Sequence, residues 1–101
     1  MTNWKKITEE INNLKPLYEK SSQKVLELEK EIETNPDKNK IKKLESLINS
    51  KTKYEETAKD IQTISFFSEK NEKPEEFIEN LCDIKALTKV IDELKTELNE
   101  I

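Results

Sequence analysis

From Trp4 to Ile32 an apolar side chain returns every third or fourth position: Trp4, Ile7, Ile11, Leu14, Tyr18, Ser21, Val25, Leu28 and Ile32. The steps alternate between three and four without a slip. That alternation lines one side of an α-helix and gives a strand no face of its own. Ser21 is the only polar member. Lys5, Lys6, Glu9, Glu10, Glu27, Glu29, Lys30 and Glu31 fall off the stripe, as a solvated face should. A stripe this narrow has to be covered by other helices, so coiled-coil-like packing is expected. Trp4 and Tyr18 are wide for a two-helix seam and suit a core shared by three.

Pro16 interrupts this segment. It offers no N–H to the Asn12 carbonyl and its ring crowds that oxygen, so a kink is expected between Asn12 and Lys15. The stripe keeps its phase through the proline, which predicts one kinked helix over about residues 2–33. A second stripe carries Ile41, Leu44, Leu47, Ile48, Tyr54, Ala58, Ile61, Ile64 and Phe67, with Lys51 and Glu55 where a strict heptad wants apolar groups. Phe66 sits beside Phe67, and the two cannot both point inward. A third stripe carries Phe77, Leu81, Ile84, Leu87, Ile91, Leu94, Leu98 and Ile101, with one stammer between Ile84 and Leu87.

The stripes are separated by two proline marks. In E-T-N-P-D-K-N-K-I-K-K, from Glu33 to Lys43, Asn35 suits an N-cap, Pro36 the first helical position, and Asp37 the positive end of the dipole. In N-E-K-P-E-E, Pro74 with Glu75 and Glu76 repeats that grammar. Helices are therefore expected over 36–69 and 74–101. The expected fold is all-α: an antiparallel up–down–up three-helix bundle with coiled-coil-like packing, a single helical domain over residues 1–101. A hairpin of the first two helices, with the third packed on another subunit, is the alternative.

Absences narrow the chemistry. The chain has no glycine, no histidine and no arginine, and all eighteen basic residues are lysine. Without glycine, turns that need a positive φ carry strain, which argues against β architecture. Without histidine, the commonest general base and nitrogen metal ligand are missing. Asn35, Asp37 and Asn39 alternate as in a calcium loop, but Lys40 and Ser46 stand where glycine and the bidentate glutamate belong. Lys38, Lys40, Lys42 and Lys43 would also repel a cation. No enzymatic activity, metal or cofactor is expected. Cys82 is the only cysteine, so no intrachain disulfide can form, and it is expected to be a small buried or half-buried apolar residue. The N-terminal residues show no apolar secretory core, and no run reaches membrane-spanning length. The expected location is cytoplasmic, in the host cell if the chain is phage-encoded.

Charge is uneven along the chain. Residues 1–33 hold six lysines against seven acids, residues 34–69 seven against six, and residues 70–101 five against nine. One mildly basic segment without interleaved aromatic residues argues against direct nucleic-acid binding. The acidic third segment, Glu72, Glu75, Glu76, Glu79, Asp83, Asp92, Glu93, Glu97 and Glu100, suits a basic protein partner instead. Leu17, Leu26, Ile78, Val90 and one of the two phenylalanines lie beside the stripes. Either the wide faces of a bundle absorb them, or a partner or second copy covers them. The candidate partner-binding residues are Glu75, Glu76, Glu79, Asp83, Asp92, Glu93, Phe66, Leu17 and Leu26.

Three function classes fit. The first is a non-enzymatic helical protein-interaction module acting as a small chaperone, adaptor or assembly factor. The second is a small acidic inhibitor, from a phage or other mobile element, that blocks a host nucleic-acid-binding or defence protein. The third is a self-assembling structural coiled coil. L-Y-E-K at Leu17–Lys20 and I-K-K at Ile41–Lys43, with the three-helix layout and length, resemble tubulin-binding cofactor A, which implies a chaperone role. Pro16 within the first helix and the lack of arginine depart from that pattern. Secreted WXG-type hairpins have a similar length, but their Trp-x-Gly turn needs a glycine.

Overall fold

The computed structural model describes residues 4–99, and within them the chain is helical with no strand. The helical segments are α1 (Trp4–Asn13), α2 (Lys15–Thr34), α3 (Lys38–Glu69), α4 (Pro74–Leu81) and α5 (Ile84–Asn99). Glu100 and Ile101 lie outside the described residues, as do the first two positions of the helix expected over 2–33. At 1.5 Å per residue α3 is a rod of about 48 Å, and it sets the long axis of a molecule measuring 57 × 20 × 18 Å.

α1 and α2 form one bent rod. The bend falls at Leu14, whose N–H reaches back to the Ile11 carbonyl at 3.2 Å, one residue short of a helical bond. Pro16, near the start of α2, accounts for it by withholding an amide and crowding the preceding turn. The stripe nonetheless stays in phase: Ile7, Ile11, Leu14, Ser21, Val25 and Leu28 are all buried. Ser21, fully buried, donates its hydroxyl to the Tyr18 carbonyl at 2.7 Å, so the polar member of the stripe leaves no orphaned atom.

Two boundaries differ from the sequence expectation. Asn35 is the C-cap of α2, with its N–H on the Glu31 carbonyl, and Asp37 rather than Asn35 caps α3. The Asp37 carboxylate accepts from the Asn39 N–H at 2.8 Å, which moves the helix start to Lys38. The helix expected over 74–101 is broken. Cys82 is extended (φ −141°, ψ 151°), and Asp83 restarts the helix by accepting from the Ala86 N–H at 3.2 Å. Asp competes for backbone donors in this way, which favours caps over helix interiors. The stammer between Ile84 and Leu87 lies just beyond this break.

Side-chain pairs give the directions of the rods. Trp4 Nε1 donates to Ser65 Oγ at 3.0 Å, Tyr18 stacks on Tyr54 with ring centroids 4.6 Å apart, and Lys40 pairs with Glu31 at 3.9 Å. Numbers rising along α1–α2 thus fall along α3, so the two run antiparallel. Ser50 Oγ donates to Glu97 at 2.9 Å and Lys53 Nζ to Glu93 at 2.7 Å, which sets α5 antiparallel to α3 as well.

The apolar groups divide into two cores. The larger joins Ile7, Ile11 and Leu14 with Tyr54, Ile61, Ile91, Leu94 and Leu98, drawing on α1, α3 and α5. The smaller holds Val25, Leu28 and Leu47, with Leu44 packed against it. It is built by α2 and α3 alone, beyond the level where Glu97 meets Ser50. Phe66 and Phe67 are both 53% exposed, so neither turns inward. After Ile61, Ser68 is buried and the half-buried Ser65 accepts from the Trp4 indole.

Candidate functional site

Among the described residues no cluster of three or more histidine, cysteine or acidic side chains could hold a metal ion. Cys82 is half-buried and its thiol donates to the Ile78 carbonyl at 3.4 Å. Burial, and then the Asp83 carboxylate, push that thiol above its ordinary value. Tyr18 is also pushed up, mainly because its hydroxyl donates to Glu55, and Tyr54 mainly by burial. No helix among the described residues is long and apolar enough to cross a membrane.

The acidic candidates separate into two groups. Glu75, Glu76 and Glu79 share α4 and are exposed. Glu75 and Glu76 lie in its first turn behind Pro74, where the positive helix end favours carboxylates. Asp83 is exposed but engaged as the cap of α5. Asp92 and Glu93 lie on α5 and are already met by lysines: Asp92 by Lys95 at 3.9 Å, and Glu93 by Lys53 at 2.7 Å.

That second pair has a readable pH signature. The Lys53 ammonium holds the Glu93 carboxyl below its ordinary 4.5, chiefly through the hydrogen bond between them. The same bond raises Lys53 above its ordinary 10.5. A lowered carboxyl stabilises the fold above its unfolded pKa, and that contribution is lost as pH falls through the folded value. A raised ammonium stabilises below its unfolded pKa and loses this as pH rises through the folded one. We expect Lys53→Met to melt earlier than the wild type at neutral pH, with the gap closing on acidification below pH 4.5. Thermal melts across pH check this, and a gap indifferent to pH would count against the pair.

The apolar candidates also separate. Leu17 is half-buried and packs against the larger core. Leu26 is 60% exposed, and Phe66 stands out beneath the Lys70 ammonium, 4.3 Å from its ring centroid. Sequence reasoning placed Ile41, Ile48 and Leu81 on inward stripes, but all three are exposed. Helical phase carries the missed signal for two of them. At 3.6 residues per turn, Ile41 and Ile48 lie roughly 100–160° from Leu47, Tyr54 and Ile61. Counting steps of three and four admits both sides of the helix when apolar residues are adjacent, as Leu47 and Ile48 are.

One groove takes in Glu76 of the acidic candidates and none of the apolar ones. It is an open depression of about 360 Å³ where α3 turns into α4, with Phe77 and Leu81 as its apolar part and Glu72 and Glu76 as its carboxylates. Lys73 lies in the same wall and reaches Glu76 at 4.0 Å. A second depression of about 440 Å³ sits where α5 ends beside α3, and its lining is mostly charged and polar, including Lys42, Glu45 and Asn49. No protein-family model, curated protein or solved structure matches the chain.

Proposed function

We propose that the chain is a non-enzymatic protein-interaction module, a small helical adaptor, chaperone or assembly factor working in the cytoplasm. The scaffold that goes with this is an antiparallel up–down–up bundle, stiff along α3. The observation that supports the reading is the groove at the α3–α4 turn. There the exposed Leu81 and the half-buried Phe77 are flanked by Glu72 and Glu76. Glu75 and Glu79 are exposed on the same short helix. An apolar strip edged by carboxylates fits a basic amphipathic segment of another protein, with burial supplying affinity and charge supplying orientation. The acidic balance of residues 70–101 also favours a second reading, in which the partner is a basic nucleic-acid-binding or defence protein and binding blocks it.

Affinity capture tests the reading with two baits, wild type and a variant carrying Glu75→Gln, Glu76→Gln, Glu79→Gln and Leu81→Ser. The expected result is a protein retained by the wild type at low salt, released at high salt and absent from the variant, both baits being equally helical. Its identity decides between assembly and inhibition. Identical captures by both baits would remove the α4 groove from consideration.

A further inference from the structure

The outer side of α3 carries a second heptad stripe, opposite the buried one. It runs Ile41, Glu45, Ile48, Thr52, Glu55, Lys59, Gln62 and Phe66, in steps of four and three, and every member is exposed. At 3.6 residues per turn, Ile41, Ile48 and Phe66 fall within about 20° of one another, and Ser50, Thr57 and Ile61 lie within about 20–40° of the opposite direction. From Ile41 to Phe66 the stripe spans about 37 Å of helix. Its ends are apolar and its centre is charged.

We infer that this face pairs with the same face of a second copy, as an antiparallel, twofold-symmetric dimer of α3 helices. The order of residues selects that occupant. With the twofold axis at the level of Thr57, Ile48 meets Phe66 of the second copy, Thr52 meets Gln62, and Glu55 meets Lys59. Symmetry repeats each pairing, as an isologous interface requires. One step further out, at the end of α3, Glu45 falls level with Glu69 of the second copy, so the attraction is confined to the centre of the stripe. The two central charges of the stripe, Glu55 and Lys59, each find their opposite. A parallel pairing would set Glu55 against Glu55 and Lys59 against Lys59, which like-charge repulsion disfavours. Glu55 accepts from the Tyr18 hydroxyl through one oxygen within its own chain, and its other oxygen remains to meet Lys59. The face is separate from the α4 groove and does not depend on the partner proposed there.

Sedimentation of the full chain over a range of concentrations tests the inference, with circular dichroism verifying each fold. The wild type is expected to dimerise. Glu55→Lys and Lys59→Glu, made singly, each turn two attractive pairs repulsive and should weaken the dimer by about tenfold or more. Made together, they restore opposite charges across the axis and should restore the dimer. In a Cys82→Ser background, Ile48→Cys with Phe66→Cys should oxidise to a covalent dimer, whereas Ile48→Cys alone should not. A wild type that stays monomeric at millimolar concentration overturns the inference. So does a dimer indifferent to both charge reversals, or one cross-linked through Ile48→Cys alone.

Discussion

Replacing Leu94 with alanine should lower the stability of the fold by about 3 kcal/mol, with a melting midpoint about 12 to 24 °C below the wild type. Leu94 is fully buried and sits in the larger core with Ile7, Ile11, Tyr54, Ile61, Ile91 and Leu98. That core draws on α1, α3 and α5, so the lost contacts are those that tie the bent rod and the final helix to α3. Neighbours held on three rigid helices can close only part of the space a leucine leaves, and the residual cavity adds to the lost transfer energy. Domains of this size hold about 5 to 15 kcal/mol in total, so the loss is a large fraction of it. Leu26→Ala, at a site 60% exposed, is the control and should change stability by less than about 0.5 kcal/mol. Urea unfolding of both variants decides the matter: equal midpoints would mean that the larger core does not hold the molecule together.

Tyr54→Ala should cost about 3 to 5 kcal/mol, in the range for deleting a buried ring, while Tyr54→Phe should cost less than about 1 kcal/mol. Tyr54 is 8% exposed and stacks on Tyr18 with centroids 4.6 Å apart. Its ring joins the part of the chain just past the Pro16 bend to the middle of α3. Its hydroxyl faces the Ile11 carbonyl at 3.5 Å, the outer limit of a hydrogen bond, so the ring carries most of the effect. Unfolding measurements on the two variants separate the contributions. A Tyr54→Phe variant as damaged as Tyr54→Ala would show that the hydroxyl matters and the stacking does not.

The stripe from Trp4 to Leu28 could be read directly from sequence because its three–four spacing runs without a slip, which picks Val25 over its neighbour Leu26. The same holds for Ile91, Leu94 and Leu98, all buried as their spacing implies. Legibility failed on α3, where two neighbours were both apolar. Leu47 and Ile48 compete for one inward place, and only the three-dimensional phase of α3 shows that Leu47 took it. Phe66 lies on the outer side of α3 by helical phase, Phe67 is exposed as well, and Ser65 meets the Trp4 indole, sixty-one residues away. That contact is beyond any local pattern. The break at Cys82 was written in the sequence as Asp83, a good cap, but the apolar spacing across it masked the signal. For the candidate site, the carboxylates of α4 were legible as a charge excess. The engagement of Asp92 and Glu93 by lysines was not, since those ion pairs depend on which helices become neighbours.

No described residue has a positive φ, so both reversals of the chain use backbone that any L-amino acid can hold. Drift in the connecting residues therefore meets no stereochemical veto of the kind an obligatory glycine imposes. Selection on this molecule should concentrate on Pro16, Asp37, Asp83 and the buried stripes, leaving the links free to vary in length and composition across descendants.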